Sequence, residues 1–359
     1  MADLLKDMFN RKSLLEIALA IQNVYSPFPV EKFLDTVMDE AWSNLELKAR
    51  SRKITLGLSE YLPTNFSEAL SILEQALVGF PIAFFFPDFI EVYGQDEENW
   101  DISINALARN TVYWSSEFAV RTFIINDEKR MMAKMYEWSK DENEHLRRLA
   151  SEGCRPQLPW AQSLPKYKKD PTPILPILEQ LKTDSSLYVR KSVANNLNDI
   201  SKTNPDLVVK IAKDWYGDNK DTNWIVKHGC RTLLKKGNEE VLALFGYDDV
   251  GSIEISNYAL KTTVVSIGED INFEFTIVAK EQAKVRLEYG VDYVKANGKR
   301  SRKIFQISES TFSKNEKRNY FQKHSFANLS TRKHYLGTHS LELIVNGAKQ
   351  GSLDFELVN

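Results

Sequence analysis

The chain has 359 residues, of which 43% are hydrophobic and 27% are charged, and its formal net charge is −2. This composition is typical of a soluble protein with two domains, and the near-neutral charge argues against a nucleic-acid binder whose surface is basic throughout. No apolar run is long enough to span a membrane, and the first residues lack the apolar core of a signal peptide, so we expect neither a membrane protein nor a secreted one.

The cysteine content also excludes several classes of protein. Cys154 and Cys230 are too few for a disulfide framework, and neither has a Cys or His neighbour at the spacing of a zinc site. We therefore expect a reduced, cytoplasmic protein that uses no metal and no other cofactor. The sequence gives no sign of a dimer, so we expect a monomer without an obligate protein partner.

The hydrophobic pattern is helical from the N-terminus to about residue 245. Apolar residues recur three and four apart over residues 14–25, 31–49 and 66–77, which predicts one helix for each segment. Thr64 and Asn65 supply capping residues before the third helix. This region is predicted to consist of stacked helices.

The second half of the helical region repeats. Similar segments, HLRRLASEG, YVRKSVANN and IVKHGCRTL, begin at His145, Tyr188 and Ile225, and each follows a turn that contains Asp, Asn or Ser. Spacings of 43 and 37 residues between equivalent positions fit helical hairpins of the HEAT type, which stack into a solenoid.

Basic residues recur on the second helices of these repeats and on the similar segment 116–124. If these helices line one wall of the solenoid, they form a basic stripe suited to DNA phosphates. The alternative is that they are solvated charges on the repeat surface. The residues of this basic stripe are Arg121, Arg147, Arg148, Arg190, Lys191, Lys227 and Arg231.

At residue 251 the hydrophobic period changes to two. Segments rich in Val, Ile, Phe and Tyr alternate apolar and polar residues, and Asn297-Gly298 and Asn346-Gly347 are hairpin-turn dipeptides. Residues 251–359 hold 16 Lys and Arg against 12 Asp and Glu, whereas residues 1–250 hold 31 against 37. We predict an all-α HEAT-like repeat solenoid over residues 1–248 and an immunoglobulin-like antiparallel β-sandwich over residues 249–359.

One hairpin of the predicted sandwich is strongly basic. The segment KANGKRSRK, residues 295–303, holds five Lys or Arg in nine positions, and a solvated turn is the alternative to a phosphate-binding one. The candidate phosphate contacts on this hairpin are Lys299, Arg300, Arg302 and Lys303.

The segment EHLRRLASEGCRPQLPW, residues 144–160, combines two adjacent arginines, a Glu-Gly helix end and a loop that closes on Pro-Trp. Together with WSSEFAVRTF at 114–123, SLYVRKSVANNLNDISK at 186–202 and the basic hairpin, it resembles the bacterial DNA alkylation repair glycosylases of the HEAT-like repeat superfamily. The resemblance is strongest to the AlkC branch, which carries a C-terminal immunoglobulin-like domain. It runs from about residue 110 to the end, whereas the first hundred residues match only as generic helices.

The resemblance implies hydrolysis of the N-glycosidic bond of 3-methyladenine and 3-methylcytosine in alkylated double-stranded DNA, which leaves an abasic site. It implies that Glu117, Glu152 and Asp199 are the catalytic carboxylates, and that the enzyme associates with the nucleoid when it binds DNA. Trp160 is the first candidate for lesion recognition, because an electron-rich indole attracts a cationic base, and Trp114 is the second. Arg148 and the basic stripe would hold phosphates. The family also implies access to the lesion in sharply bent DNA, which the sandwich would grip through its basic hairpin.

Each candidate has a structural alternative. Glu117 could stabilise a helix start, Glu152 could pair with Arg148 four residues earlier, and Asp199 could be a polar helix-end residue. Trp160 could fill a gap between repeats. The remaining tryptophans with a packing alternative are Trp114, Trp138, Trp215 and Trp224. For the whole chain, the alternatives are a protein-binding HEAT scaffold and a non-catalytic DNA-structure-binding relative.

Overall fold

The computed structural model describes residues 5–80, 83–217, 219–247, 250–328 and 332–359. Within these residues the α-helices end at Leu244 and the strands begin at Ile253, which confirms the predicted fold class. The chain divides into two compact units, a helical unit of Met1–Asn204 and Gly217–Ile225, and a second unit of Pro205–Tyr216 and Val226–Asn359. The predicted domain boundary between residues 248 and 249 lies outside the described residues and stays a prediction.

The helices follow one another through short connections. The α-helices of the described residues are α1 Arg11–Val24, α2 Val30–Val37, α3 Leu47–Tyr61, α4 Phe66–Leu77, α5 Phe86–Tyr93, α6 Trp100–Asn110, α7 Val120–Asn126, α8 Glu128–Trp138, α9 Glu144–Gly153, α10 Pro165–Lys169, α11 Leu175–Leu181, α12 Leu187–Ile200, α13 Pro205–Trp215, α14 Lys220–Gly229, α15 Arg231–Lys235 and α16 Glu239–Leu244. Short 3-10 helices occupy Leu5–Met8, Trp42–Asn44, Glu97–Asn99, Thr172–Ile174 and Val250–Ser252. None of these helices has the length and apolar character that a membrane crossing requires.

The N-terminal helices match the predicted pattern with one exception. Helix α4 begins where its cap predicts, because the Asn65 side chain accepts a hydrogen bond from the Glu68 amide at 3.0 Å. The single helix predicted over residues 31–49 is wrong. Helix α2 ends early and a 3-10 turn separates it from α3, because Trp42 in that turn is buried and lies 5.1 Å from the Arg50 guanidinium.

The first two aligned repeat segments lie on α9 and α12, and the third runs from α14 through Cys230 into α15. Helix α9 packs against α8, α11 and α12, so its residues lie at the centre of the helical unit. Gly153 closes α9 where another residue would not fit, since an added Cβ would lie 2.6 Å from Val120 Cγ2 and 2.7 Å from Met135 Cε. Gly153 therefore allows a close approach of α9 to α7 and α8, and the preceding Glu152 contacts Ser192 on α12.

The sandwich contains eight strands in the described residues, arranged as a three-stranded sheet in the order β1-β3-β6 and a five-stranded sheet in the order β2-β8-β7-β4-β5. The strands are β1 Ile253–Leu260, β2 Val264–Ser266, β3 Asp270–Ala279, β4 Ala283–Val294, β5 Arg300–Phe312, β6 Lys317–Ser325, β7 Gly337–Val345 and β8 Ala348–Val358. All pairs are antiparallel except β2 with β8.

The sandwich core and turns follow from the alternating sequence. Side chains such as Phe273, Phe275 and Leu343 alternate into a buried core between the sheets. Both predicted hairpin turns are confirmed, since Asn346-Gly347 joins β7 to β8 with φ of 46° and 77°, and Asn297-Gly298 joins β4 to β5.

Candidate functional site

A cleft of about 420 Å³ opens in the helical unit. Its lining comes from α3, from α5, from the residues just before α7, and from the end of α9 with the loop that follows. Two of the predicted catalytic carboxylates, Glu117 and Glu152, line this cleft together with the predicted lesion-recognition residue Trp160. The fold thus brings together residues that lie up to 43 positions apart in the sequence.

Glu117 precedes α7 and is held by two donors. Ser115 Oγ donates to Glu117 Oε2 at 2.6 Å, and Arg148 Nη1 donates to the same oxygen. Arg148 Nη1 also donates to Ser115 Oγ at 2.7 Å, so the three side chains form a closed triangle. No donor among the described residues reaches Glu117 Oε1, and the Glu117 side chain is 16% exposed. This carboxylate is oriented and still accessible.

Glu152 lies one turn after Arg148 on α9, so the two side chains share a helix face, and Arg148 Nη2 lies 3.6 Å from Glu152 Oε1. Arg155 Nη1 donates to Glu152 Oε1 at 2.6 Å, and Ser192 Oγ donates to Glu152 Oε2 at 2.6 Å. The predicted pairing of Glu152 with Arg148 is therefore only one of its contacts. Both oxygens of Glu152 are occupied.

Asp199 continues this ionic network on α12. Arg155 Nε donates to Asp199 Oδ2 at 2.8 Å, and Lys202 Nζ donates to Asp199 Oδ1 at 2.7 Å. The Asp199 side chain is only 1% exposed. Both Asp199 oxygens are paired in this geometry, so the carboxylate orients Arg155, and a catalytic role for Asp199 stays a prediction.

The two tryptophans that we predicted for lesion recognition differ completely in environment. Trp160 lines the cleft, is 69% exposed, and has a φ of 64°. Trp114 is 2% exposed, donates from Nε1 to the Phe80 carbonyl at 2.7 Å, and packs against Phe86. The lesion-recognition prediction is wrong for Trp114, which is a core residue, because its indole is already used for packing and hydrogen bonding. The packing alternative for Trp160 is wrong, because the side chain is exposed.

Arg121 does not belong to a basic surface. Its side chain is buried and donates to the carbonyls of Gln162, Gly153 and Arg155 at 2.6, 2.9 and 2.8 Å. Burial lowers the pKa of Arg121 to about 10. The DNA-binding prediction is wrong for Arg121, because its guanidinium holds together the loop after α9 and cannot reach a phosphate.

Arg147 and Arg190 occupy equivalent positions in successive repeats and make equivalent contacts. Arg147 donates to the carbonyls of its own turn and forms a two-point ion pair with Asp184 in the next turn. Arg190 likewise donates to the carbonyls of its turn, and its Nη2 lies 3.2 Å from Asp221 Oδ1. These arginines tie each repeat to the next. The nitrogens of Arg147 and both terminal nitrogens of Arg190 are already bound within the fold, which argues against their predicted role in the basic stripe.

The remaining residues of the basic stripe are divided between the two units. Lys191 is exposed on α12 of the helical unit. In the second unit Lys227 pairs with Glu309, and Arg231 donates to the His228 carbonyl at 2.8 Å. Among the residues of the predicted stripe, Arg148 alone contacts a predicted catalytic carboxylate in the described structure. Within the helical unit, the predicted residues therefore do not form a continuous stripe of free cations.

The basic hairpin joins β4 to β5 and its four predicted contacts are exposed. Arg302 forms a two-point ion pair with Asp292 at 2.9 and 2.7 Å and also donates to Glu342, and Arg300 donates to Ser340 Oγ. Lys299 and Lys303 have no such carboxylate partner among the described residues. Arg300 also keeps its charge, because the hydroxyl of Ser340 is neutral, so Arg302 is the predicted contact that carboxylates neutralise.

Four charged residues of the cleft were missed by the sequence analysis. Arg155 lies inside the Glu-Gly-Cys-Arg-Pro segment that ends α9, so that motif contained a signal for it. Lys48 on α3 and the carboxylates Asp88 and Glu91 on α5 carry no motif, because the contacts that bring them to the cleft are tertiary. Burial raises the pKa of the Glu91 carboxyl, and its neighbour Asp88 adds to the shift.

The chain is similar to proteins that share this combination of helical unit and sandwich. Residues 98–237 match the family described as DNA alkylation repair enzyme, and residues 254–359 match the family described as Uncharacterised protein YhaZ, C-terminal Ig-like domain. The chain is 48% identical over 359 residues to the Uncharacterized protein YhaZ of Bacillus subtilis (strain 168), covering 99% of this chain and 100% of that relative. The structure of Pseudomonas fluorescens alkylpurine DNA glycosylase AlkC, bound to DNA containing an abasic site analog, is 35% identical, with a TM-score of 0.94 and coverage of 99% of this chain and 100% of that chain.

The similarity to AlkC extends over both parts of the fold and over nearly the whole of each chain. It includes the residue 98–237 region, which supplies the Glu117, Arg148, Glu152 and Arg155 side chains described above. The chain therefore belongs to the DNA alkylation repair enzyme family, in the AlkC-type branch that carries a C-terminal immunoglobulin-like domain.

Proposed function

We propose that this protein is a monofunctional DNA glycosylase that acts as a monomer on alkylated double-stranded DNA. It hydrolyses the N-glycosidic bond of the cationic bases 3-methyladenine and 3-methylcytosine and leaves an abasic site. The observation that carries this proposal is the meeting of Glu117, Glu152 and the exposed Trp160 at one cleft. The similarity to AlkC, an alkylpurine DNA glycosylase, supports it.

The charge of the cleft favours a cationic base. Methylation at N3 gives the base a formal positive charge, so it is already a good leaving group. Four carboxylates and only two cations line the cleft: Lys48, Asp88, Glu91, Glu117, Glu152 and Arg155. The face of the Trp160 indole attracts a cation more strongly than a neutral base, by about 0.5 to 2 kcal/mol in such contacts.

The reaction needs one carboxylate that can accept a proton from water. As the C1′–N bond breaks, its electron pair passes to the base, which leaves as a neutral molecule, and the sugar acquires oxocarbenium character. Water then forms a bond to C1′ and loses a proton to Glu117, whose Oε2 is fixed by Ser115 and Arg148 while Oε1 remains available. Glu152 adds negative potential that stabilises the sugar cation. Asp199 acts through Arg155, which it orients.

The first experiment compares the wild-type protein with Glu117→Gln, using release of methylated bases from alkylated duplex DNA. Glutamine preserves the shape of the side chain but cannot accept the proton, so we expect base release to fall at least about a hundredfold. Binding to undamaged duplex should be unchanged. Glu137→Gln, an exposed substitution on α8 away from the cleft, is the matched control and should release bases like the wild type.

The outcomes separate the functions that the fold permits. Release of 3-methyladenine and 3-methylcytosine by the wild type, lost in Glu117→Gln, supports the glycosylase. A folded wild type that binds DNA but releases no base would instead support the non-catalytic DNA-binding alternative, and a wild type that also fails to bind DNA would support the protein scaffold.

A further inference from the structure

Trp160 has a backbone conformation that its residue type does not favour. Among the described residues the non-glycine positions with positive φ are Trp160, Asn257, Asn315 and Asn346. Asparagine tolerates this left-handed region, but for a bulky residue it costs on the order of 1–2 kcal/mol. The Trp160 side chain lines the cleft and is 69% exposed. Packing of the indole therefore does not offset the free-energy cost of this backbone conformation. Contacts to the backbone must therefore hold this residue in place.

The loop after α9 is held from two sides. On its inner side the buried Arg121 donates to the Gln162 carbonyl, and the loop is closed by a bond from the Leu164 amide to the Pro156 carbonyl at 3.2 Å. On its outer side Lys48 Nζ donates to the carbonyl of Trp160 itself at 2.9 Å. Lys48 thus contacts the strained residue directly through its backbone.

Lys48 is well placed to give this bond a fixed direction. It lies in the first turn of α3, a long helix of the helical unit, and its ammonium lies 4.7 Å from the centre of the Phe118 ring. Phe118 follows Glu117 in the chain, so a single lysine connects the Trp160 backbone with the segment that carries the accessible carboxylate. Lys48 lies outside the 98–237 region that matches the DNA alkylation repair enzyme family.

The charge of Lys48 argues against a direct role in recognising the base. The proposed substrate is cationic, and an ammonium facing it would repel it. A role through Trp160 avoids this conflict, because the ammonium is directed to a carbonyl and to an aromatic ring.

We propose that Lys48 is a positioning residue that holds the Trp160 indole over the cleft, where it recognises the methylated base. The inference rests on the proposed glycosylase function. It assigns to the N-terminal helices, which the sequence motifs leave without a role, one wall of the lesion site.

The test is a double-mutant cycle on Lys48 and Trp160, read out as the rate of base release from methylated duplex DNA. Lys48→Met removes the donor but keeps most of the side-chain volume, and we expect kcat/KM to fall about ten- to a hundredfold. Lys48→Arg, which can still donate to the carbonyl, should recover part of this loss. Once Trp160→Ala is present, adding Lys48→Met should have little further effect, because both changes remove one function.

A second readout distinguishes positioning from phosphate binding. If Lys48 positions Trp160, Lys48→Met leaves the affinity for undamaged duplex and its salt dependence unchanged. If Lys48 instead contacts a phosphate, the affinity falls and the slope of log K against log salt becomes shallower by about 0.9. Lys53→Met, on the same helix with its ammonium paired to Asp39, is the control for loss of a lysine and should behave like the wild type.

Three outcomes would overturn the inference. Lys48→Met could release bases like the wild type, or the losses of kcat/KM from Lys48→Met and Trp160→Ala could be fully independent in the double mutant. Lys48→Met could also change only the affinity for undamaged DNA. A folded wild type without base release would refute the proposed function instead. In that case tryptophan fluorescence still tests the hydrogen bond from Lys48 to the Trp160 carbonyl. The contribution of Trp160 is the decrease in fluorescence caused by Trp160→Phe, and it is measured in the wild type and in Lys48→Met. An identical Trp160 contribution in both backgrounds would show that Lys48 does not position the indole.

Discussion

Two arginine side chains of the helical unit have different kinds of partner, carboxylates at the cleft for one and backbone carbonyls for the other. Arg148 reaches Glu117 and Glu152 at the cleft, whereas Arg121 is buried among backbone carbonyls. Both follow an apolar helical pattern in the sequence, and both can donate to either a phosphate or a carbonyl. Residue type and spacing identify a cation on a helix, but burial decides its partner, and burial depends on the tertiary fold.

The buried Arg121 leads to a stability prediction. Replacing it with methionine leaves three carbonyls of the loop after α9 without their donor, so we expect the free energy of unfolding to fall by about 3 kcal/mol or more, together with base release. Urea unfolding followed by circular dichroism measures the change. Lys191→Met, an exposed substitution on α12, should stay within about 0.5 kcal/mol of the wild type. Equal stability of the two variants would contradict the structural role of Arg121.

At the scale of elements, the repeats are joined by a recurring arginine–aspartate contact. Arg147 pairs with Asp184, which precedes α12, and Arg190 lies beside Asp221 at the start of α14, so each aspartate comes from the following repeat. The recurrence of an aspartate followed by a basic residue on the second helix therefore indicates that the repeats stack on one another. We predicted a DNA-binding stripe from it, because the pattern fixes which residues recur but leaves open whether they face solvent or the neighbouring turn.

The sandwich contains a buried histidine that makes its stability depend on pH. His324 on β6 lies between the hydroxyls of Tyr289 and Tyr293, at 3.0 and 2.5 Å, and burial lowers the pKa of His324 from 6.5 to about 4. The nearby Arg332 and His334 lower the pKa further, and Asp270 opposes them. Below pH 6.5 the unfolded chain therefore binds a proton that the folded chain does not, so the stabilisation is complete above this pH and is lost towards pH 4.

We expect His324 to lower the free energy of unfolding by about 2 kcal/mol when the pH falls from about 7.5 to about 5. His324→Gln, which keeps hydrogen-bonding capacity without titrating, should lose correspondingly less stability over the same range. The measurement is the urea midpoint at each pH for the two proteins. Parallel pH profiles would show that His324 does not titrate on unfolding as its burial requires.

At the scale of the whole molecule, periodicity predicted the fold well because both periods are local properties of the chain. The change from helices to strands, the repeat helices and the two Asn-Gly hairpins are all confirmed. The break between α2 and α3 was missed because buried Trp42 interrupts a continuous helical pattern through tertiary packing. The site residues were likewise predictable only where the signal is local. Glu117, Glu152 and Trp160 lie inside sequence motifs, whereas Lys48 and Glu91 reach the cleft from helices without a motif.

At the same scale, we expect the sandwich to contribute to DNA affinity through its basic hairpin. Arg302 is neutralised by Asp292 and Glu342, so the exposed Lys299 and Lys303, together with Arg300, should supply the phosphate binding of the hairpin. We expect Lys299→Gln combined with Lys303→Gln to weaken duplex binding by a similar factor for unrelated sequences. The slope of log K against log salt should become shallower by about 0.9 for each phosphate that the hairpin no longer neutralises, as measured by fluorescence anisotropy over a range of salt concentrations.

Lys314→Gln, elsewhere on the sandwich and paired with Glu281, should leave the slope unchanged. Unaltered affinity of the double variant at every salt concentration would exclude Lys299 and Lys303 from the DNA-binding surface, because phosphate contacts necessarily release counterions when they form.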